Sequence, residues 1–445
     1  MQQKGQWSTK LGFILASAGA AIGLGAIWKL PYVTGQNGGG AFFLLFVLFT
    51  LLIGLPMLIS EFIIGRGTQK EAVSAYKKLA PTSLWVWIGR LGVVGCFLLL
   101  SFYSVVGGWI LIYTAKALTG NAIVPGVAAD AMFGQTVSSP SVTMLGVAIF
   151  TLLNVIVIAL GVQQGIEKAS KYMMPLLFVF FIILVVRSLT LDGAMEGVKF
   201  FLQPDFTQIT AEGVLYALGQ SFFALAVGFS CMVTYSSYLK KEESLPYSAG
   251  SVVLMNIFVS LLAGLAIFPA VFASGLEPTE GPGLLFVVLP TVFGHLPFGE
   301  VFFALFLLLF LFATLTSSFS LYEIIVAAVE AKLPNARRKI TVVLGVIVFV
   351  AAIPAALSSS TLSDVTIFGK TLFDATDYLV SNILLPLGNL LIALFIVHKV
   401  DKNLVEQEFF SGSHIPRGYY KLWRFLMTFI VPVIIVIVLI YTAQQ

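Results

Sequence analysis

The stretch Ala18-Gly19-Ala20-Ala21-Ile22-Gly23-Leu24-Gly25-Ala26 sits inside the first apolar run of a 445-residue chain. An apolar run of about 20 residues reads as a membrane-spanning helix, yet each interior glycine costs about 1 kcal/mol against alanine. In lipid, the backbone groups freed by a broken helix must find partners or line a cavity. Close packing through small residues is the other reading of such a stretch. A second one, Ala224-Leu225-Ala226-Val227-Gly228-Phe229, falls in the sixth apolar run. If runs 1–5 and 6–10 are repeats, the two stretches occupy corresponding places. Five is odd, so the second copy must be inverted. Interrupted helices at matching places in inverted repeats point to the binding site of a secondary transporter.

The rest of the chain supports a bilayer. It is 58% hydrophobic and 10% charged, with a mean hydropathy of +0.99. A soluble chain carries roughly a quarter charged residues. Eleven candidate spans lie near 11–34, 41–64, 88–118, 141–160, 166–188, 212–238, 248–274, 300–328, 340–357, 372–397 and 422–442. Lys and Arg cluster on alternate connections: Lys4 and Lys10; Arg66, Lys70, Lys77, Lys78 and Arg90; Lys168 and Lys171; Lys240 and Lys241; Lys332 and Arg337 to Lys339; Lys399, Lys402, Arg417, Lys421 and Arg424. This positive-inside pattern predicts a multi-pass protein of the cell membrane, with a cytoplasmic N-terminus and an extracellular C-terminus. The net charge of +4 belongs to these loops and not to a nucleic-acid face.

The expected organisation is a single transmembrane domain over 1–445, with repeats over approximately 11–190 and 212–400 and an additional helix at 422–442. The first run is read as a retained span, since no small-residue cleavage site follows it. The two cysteines, Cys96 and Cys231, lie in apolar runs and imply packing rather than a disulfide framework. His295, His398 and His414 are scattered, and no nucleophile–base pair, zinc spacing or phosphate loop appears, so an enzyme is not expected. An amino-acid-gated or ion-conducting channel is the competing reading, because broken helices also line pores.

Further motifs carry a resemblance. Gly23-Leu24-Gly25-Ala26-Ile27-Trp28-Lys29-Leu30-Pro31-Tyr32 and Gln36-Asn37-Gly38-Gly39-Gly40-Ala41-Phe42 resemble the first-helix motif of the neurotransmitter:sodium symporters. Gln220-Ser221-Phe222-Phe223, Thr234-Tyr235-Ser236-Ser237-Tyr238, Gly281-Pro282-Gly283-Leu284-Leu285-Phe286 and Ala313-Thr314-Leu315-Thr316-Ser317-Ser318 follow in the family's order, the third resembling its external lid loop. The resemblance implies an all-α membrane protein with the LeuT-type 5+5 inverted-repeat transporter fold. Helices 1 and 6 would be broken, and one C-terminal helix would be added. It also implies a sodium-coupled symporter importing neutral hydrophobic L-amino acids by alternating access, with the amino acid and membrane lipid as partners. It leaves the oligomeric state open.

The physics of one break fits that role. If the first half of helix 1 ends near Ala21, carbonyls at its negative end face the gap. If the second half starts near Gly25, free amides at its positive end face the same gap. A cation and a carboxylate then have partners at one place.

The resemblance assigns the substrate carboxylate to the Gly25 amide and the Tyr103 hydroxyl, although a buried tyrosine of this kind also occurs as plain packing. Carbonyls near Ala21, Phe223 and Ala224, with Ser317 close by, would receive the ammonium. Leu24, Leu99, Phe223, Ala226, Phe229 and Leu321 would surround the side chain. Monoamine members carry an aspartate where this chain has Gly23, so amino acids are expected instead. A second sodium site maps onto the carbonyls of Gly19, Ile22 and Ala313 and the hydroxyls of Thr316 and Ser317. A first site keeps only Ala21 and Asn256, because Ala26 and Ala224 replace ligands, and is expected to be weakened. For chloride, Gln220, Asn256 and Ser260 match, but Phe46 and Ala224 remove donors, so chloride dependence is expected to be weak or absent.

The resemblance pairs Lys29 with Asp377 as an outer gate; a static ion pair is the alternative. Phe223 would cover the substrate. Lys4, Trp7 and Tyr238 match the inner gate, whose acid is displaced: Ala331 holds its place, beside Glu330. Glu61 is expected to pair locally. Gly165 and Pro175 predict a weakly held cytoplasmic end of helix 5, or else a helix that starts near 172.

Overall fold

The structure, a computed structural model, describes residues 5–124, 127–276 and 285–442. Among these, nine helices are long and apolar enough to cross a bilayer. They are span 2 (Gly40–Thr68), span 3 (Leu84–Leu118), span 4 (Pro140–Ala159), span 5 (Val162–Leu189), span 7 (Leu245–Ala273), span 8 (Gly299–Glu330), span 9 (Arg337–Ala356), span 10 (Leu372–His398) and span 11 (Arg417–Thr442). The two remaining expected spans are the broken ones. Span 1 consists of an inner half, Lys10–Ala21, and an outer half, Gly25–Gln36, bent by 52°. Span 6 consists of Ala211–Phe223 and Cys231–Ser236, separated by residues 224–230. Both glycine-rich stretches are therefore breaks rather than tight packing faces.

Four other irregularities share one cause. Wide π-helical turns occupy Gly25–Lys29, Thr50–Gly54, Leu379–Leu384 and Leu426–Ile430. Each ends two residues before a proline: Pro31, Pro56, Pro386 and Pro432. Proline has no N–H and its ring crowds the carbonyl four residues back. The ladder widens to accommodate it, and the N–H of Leu30, Leu55, Leu385 and Val431 each bonds five residues back instead of four.

Spans 3 and 8 pack along each other through the middle of the protein. The most apolar part of span 3 is 78% buried inside the protein, against 22% for span 11, which therefore lies at the lipid-facing edge. Span 5 departs from both sequence expectations. It is wound from Val162, through a π-helical turn at Val162–Glu167, and runs on past Pro175 to Leu189. Its N-terminal end is held by Glu167, which accepts from the Ser8 N–H at 2.8 Å, from the Ser8 hydroxyl, and from Thr9 Oγ1 at 3.2 Å. Lys171 pairs with the same carboxylate at 2.8 Å.

Candidate functional site

The two breaks face each other. At the end of the inner half of span 1, the Ala18 carbonyl accepts from the Ile22 N–H at 2.7 Å and Ala21 from Gly23 at 3.1 Å. Ala20 accepts from Ser317 Oγ at 3.1 Å. The Gly19 and Ile22 carbonyls accept no hydrogen bond among the described residues. The break of span 6 holds Ala226, Gly228 and Ser230 at positive φ, of 52°, 106° and 61°. The left-handed region costs an L-residue about 1–2 kcal/mol, so neighbours must over-determine it.

They do. Glu61 of span 2 is fully buried. It accepts from the N–H of Gly228 at 2.7 Å and of Val233 at 3.3 Å. Glu61 thus caps the second half of span 6 and does not pair locally, which corrects the sequence expectation. Tyr76 bonds Ser230 Oγ at 2.9 Å, and Asn389 Nδ2 donates to the Val227 carbonyl at 3.2 Å.

A small cavity of about 30 Å³ lies between the breaks. Its wall includes Ala21, Leu24, Gly25, Leu99, Tyr103, Phe223, Ala226, Phe229, Ser317 and Leu321, all expected substrate contacts. Ala224, the other expected contact, is not in the wall; its carbonyl accepts from Asn256 Nδ2 at 2.7 Å. Gly23, expected to exclude an amine partner, lines it too, and sequence reasoning missed Ala20, Cys231 and Leu385, which also line the cavity. The Tyr103 hydroxyl is buried and faces Ser317 and the Leu24 backbone, with no partner in good hydrogen-bond geometry among the described residues. Among the described residues no charged side chain lines the wall. At Gly23 a β-carbon would lie 2.5 Å from Ser317 Oγ and 2.8 Å from the Tyr103 hydroxyl. A side chain here would have to displace Ser317 and Tyr103, and glycine supplies no acid to pair with an amine.

Of the residues expected to bind the second ion, Thr316 and Ser317 of span 8 lie against the end of the inner half of span 1. A β-carbon at Gly19 would lie 2.9 Å from Thr316 Cβ, so the carbonyl end of span 1 abuts Thr316 of span 8 directly. Thr316 Oγ1 donates to the carbonyls of Phe312 at 2.9 Å and Ala313 at 3.1 Å, so the Ala313 carbonyl, an expected ligand, already accepts a hydrogen bond. Carbonyl and hydroxyl oxygens are hard ligands of the kind that suit a small cation. On the other side, Asn256 Nδ2 spans both breaks, reaching the Ala224 carbonyl at 2.7 Å and Ala21 at 3.5 Å. A side-chain amide thus bridges the carbonyls that a first ion would hold. Of the chloride residues, Gln220 donates to the Gly25 carbonyl at 2.6 Å, and the buried Ser260 hydroxyl has no partner.

Above the small cavity a larger one, about 210 Å³, is lined by Lys29, Tyr32, Gln36, Glu212, Gln220 and Asn382 among others. Phe223 lines both cavities and is the partition between them. Among the described residues Lys29 and Asp377 make no direct ion pair, although the Asp377 charge acts on Lys29. The Lys29 ammonium lies over the Phe223 ring, 5.2 Å from its centre. Asp377 accepts from Ser381 Oγ at 2.6 Å.

The inner side is closed by Trp7, whose indole N–H donates to the Tyr235 carbonyl at 2.8 Å. Lys4 and the lid residues Gly281 to Leu284 lie outside the described residues. The inner acid is Glu323, two turns before the expected place. It is fully buried, accepts from the Tyr238 hydroxyl at 2.8 Å, and pairs with Arg337. Glu330 joins the same arginine at 3.1 Å. Nothing in the local sequence around Glu323 signals these partners, which come from spans 6 and 9.

Two broken helices that face each other across a small chamber, among apolar spans, are the arrangement of inverted-repeat membrane transporters. The chain belongs to the sodium:neurotransmitter symporter family, whose model matches residues 4–125 and 131–445. It is 55% identical over 438 residues to a sodium-dependent transporter of Bacillus subtilis (strain 168), YhdH, covering 98% of this chain and 97% of that protein. A sodium-dependent transporter of Haemophilus influenzae is 39% identical over 99% of this chain and 98% of its own length. Among solved structures, MhsT in complex with L-phenylalanine superposes with a TM-score of 0.92 at 40% identity, covering 99% of this chain and 100% of MhsT. The LeuT-type fold expected from the sequence is thereby shown.

Proposed function

We propose that the chain is a sodium-coupled symporter that imports neutral hydrophobic L-amino acids by alternating access. The observation that carries this reading is the cavity wall. Backbone dipoles at the span 1 break offer partners to a carboxylate and an ammonium, while every lining side chain is uncharged and most are apolar. The sodium-dependent relatives and the phenylalanine held by MhsT support the same substrate and ion. The basic loops orient the protein with its N-terminus in the cytoplasm and its C-terminus outside.

Coupling rests mainly on the second ion site. The first is weakened because Ala26 and Ala224 offer no side-chain oxygen, and the Asn256 amide takes up the Ala21 and Ala224 carbonyls. Chloride dependence is weak or absent, since Phe46 and Ala224 supply no hydroxyl donor.

The test is uptake of labelled amino acids into proteoliposomes. An inward sodium gradient should drive saturable uptake of hydrophobic amino acids, and a potassium gradient should not. Thr316→Val removes one hard ligand and should raise the half-saturating sodium concentration by roughly tenfold, as expected for a loss of about 1.4 kcal/mol. Uptake that proceeds equally without sodium would sink the symport reading. Sodium currents that run without substrate and do not saturate would favour the channel.

A further inference from the structure

The chain's two cysteines are used by nothing described above. Cys96 in span 3 and Cys231, the first residue after the span 6 break, are both buried free thiols. They are separated by 135 residues in sequence, yet their sulfurs lie 3.3 Å apart. Cys231 lines the central cavity. Cys96 is one turn before Leu99 and two before Tyr103, so it shares their face of span 3. Packing alone accounts for an apolar cysteine, but not for the whole cysteine content of the chain meeting at a single point in the chamber wall.

We propose that Cys96 and Cys231 form a two-thiol redox site, which a peroxide converts to a disulfide that staples span 3 to span 6 and arrests transport. The geometry makes the bond accessible. A disulfide requires sulfurs about 2.05 Å apart, so the pair must close by little more than one ångström.

The position gives the bond its consequence. Beside Cys96, span 3 has glycines where it meets the break: a β-carbon at Gly95 would run into the Phe229 ring, and one at Gly92 would strike the Phe229 carbonyl. The span 6 break therefore lies directly on span 3. A covalent link at Cys96 fixes the break to that bed, and the break is the part of the chamber that must move if the two sides open in turn.

The chemistry is a two-electron oxidation. The Cys231 sulfur, exposed to the cavity, attacks one peroxide oxygen. The O–O bond breaks, one water leaves, and a sulfenic acid forms. The Cys96 sulfur then attacks the Cys231 sulfur, the S–O bond breaks, and a second water leaves. Two thiols and one hydrogen peroxide give one disulfide and two waters. The thiols supply both electrons, and their two protons leave in the waters.

The effect on uptake rests on the transport reading, whereas formation of the bond does not. The experiment therefore uses two readouts on the full chain in proteoliposomes treated with hydrogen peroxide. Non-reducing peptide mass spectrometry should find the Cys96 and Cys231 peptides joined, with the mass of two hydrogens lost. Amino acid uptake should be lost on treatment and return with dithiothreitol. Cys96→Ser should transport before treatment and keep its uptake after it. If Cys96→Ser folds poorly, Cys96→Ala serves in its place. Treated protein that shows the joined peptides but full uptake would overturn the switch. Peptides that stay separate while methionine oxidation is detected would overturn the site itself. Equal loss of uptake in the Cys96 variants would assign the effect to oxidation elsewhere and also overturn the proposal.

Discussion

Gly23→Ala should abolish measurable amino acid binding while leaving the protein folded. A β-carbon there would stand 2.5 Å from Ser317 Oγ, 2.7 Å from Ser317 Cβ and 2.8 Å from the Tyr103 hydroxyl. Real side chains do not approach so closely, so Ser317 and Tyr103 must both give way. Ser317 can move only by surrendering its hydrogen bond to the Ala20 carbonyl. Tyr103 can move only by swinging its hydroxyl away from the chamber that it lines. Each of these groups faces a charged end of the bound amino acid on the reading proposed above. A hydrogen bond to a charged group contributes roughly 1.5–3 kcal/mol, so losing two weakens binding by roughly 100-fold or more. Scintillation-proximity binding of a labelled hydrophobic amino acid, with size-exclusion chromatography as the control for folding, measures this directly. Parent-like affinity in the variant would show that Tyr103 and Ser317 do not form the substrate's polar floor.

The same glycine shows why the first break was legible from sequence alone. Gly19, Gly23 and Gly25 fall within seven residues, and no amphipathic or capping signal explains three glycines in the middle of an apolar run. The bend of 52° sits where they are. The second break was legible only in outline, because two of its left-handed positions, Ala226 and Ser230, are residues with no preference for that region. Their conformation is imposed by Glu61, Tyr76 and Asn389, from spans and loops far away in sequence.

The residues expected around the substrate come together in one cavity wall, since a short motif carries its own local geometry. The residues expected at the outer gate do not meet. Lys29 and Asp377 belong to separate halves of the chain, and which neighbour each takes depends on how the outer half of span 1 sits against span 10. Lys29 finds an aromatic face and Asp377 a hydroxyl. Glu323 is an acid inside a long apolar helix, and that cost was a signal. Its partner Arg337 begins the next span and looked from sequence like one more basic loop residue.

Glu61→Ala should be the most destabilising single substitution in the break region. The carboxylate is fully buried, and it is the acceptor for the N–H groups of Gly228 and Val233. Gly228 lies in the unwound segment and Val233 in the first turn of the half-helix that follows, so neither donor has a carbonyl four residues back to turn to. Alanine leaves both donors dry. An unsatisfied buried donor costs roughly 1–3 kcal/mol, which makes the expected loss roughly 2–6 kcal/mol. That is a large share of the roughly 5–15 kcal/mol by which a folded domain is stable. The damage should also be specific. Without the cap, Ala226 and Ser230 lose the main restraint that holds them left-handed, and the chamber wall formed by Ala226 and Phe229 shifts with them. Glu61→Gln keeps one acceptor oxygen in the same volume and should recover part of the loss. Thermal unfolding of the purified proteins, compared with uptake in proteoliposomes, separates the cases. The expected order of melting temperature and of uptake is parent, Gln variant, Ala variant. An alanine variant that melts with the parent would mean that water or another side chain satisfies these two amides, and that the second break does not depend on the buried acid of span 2.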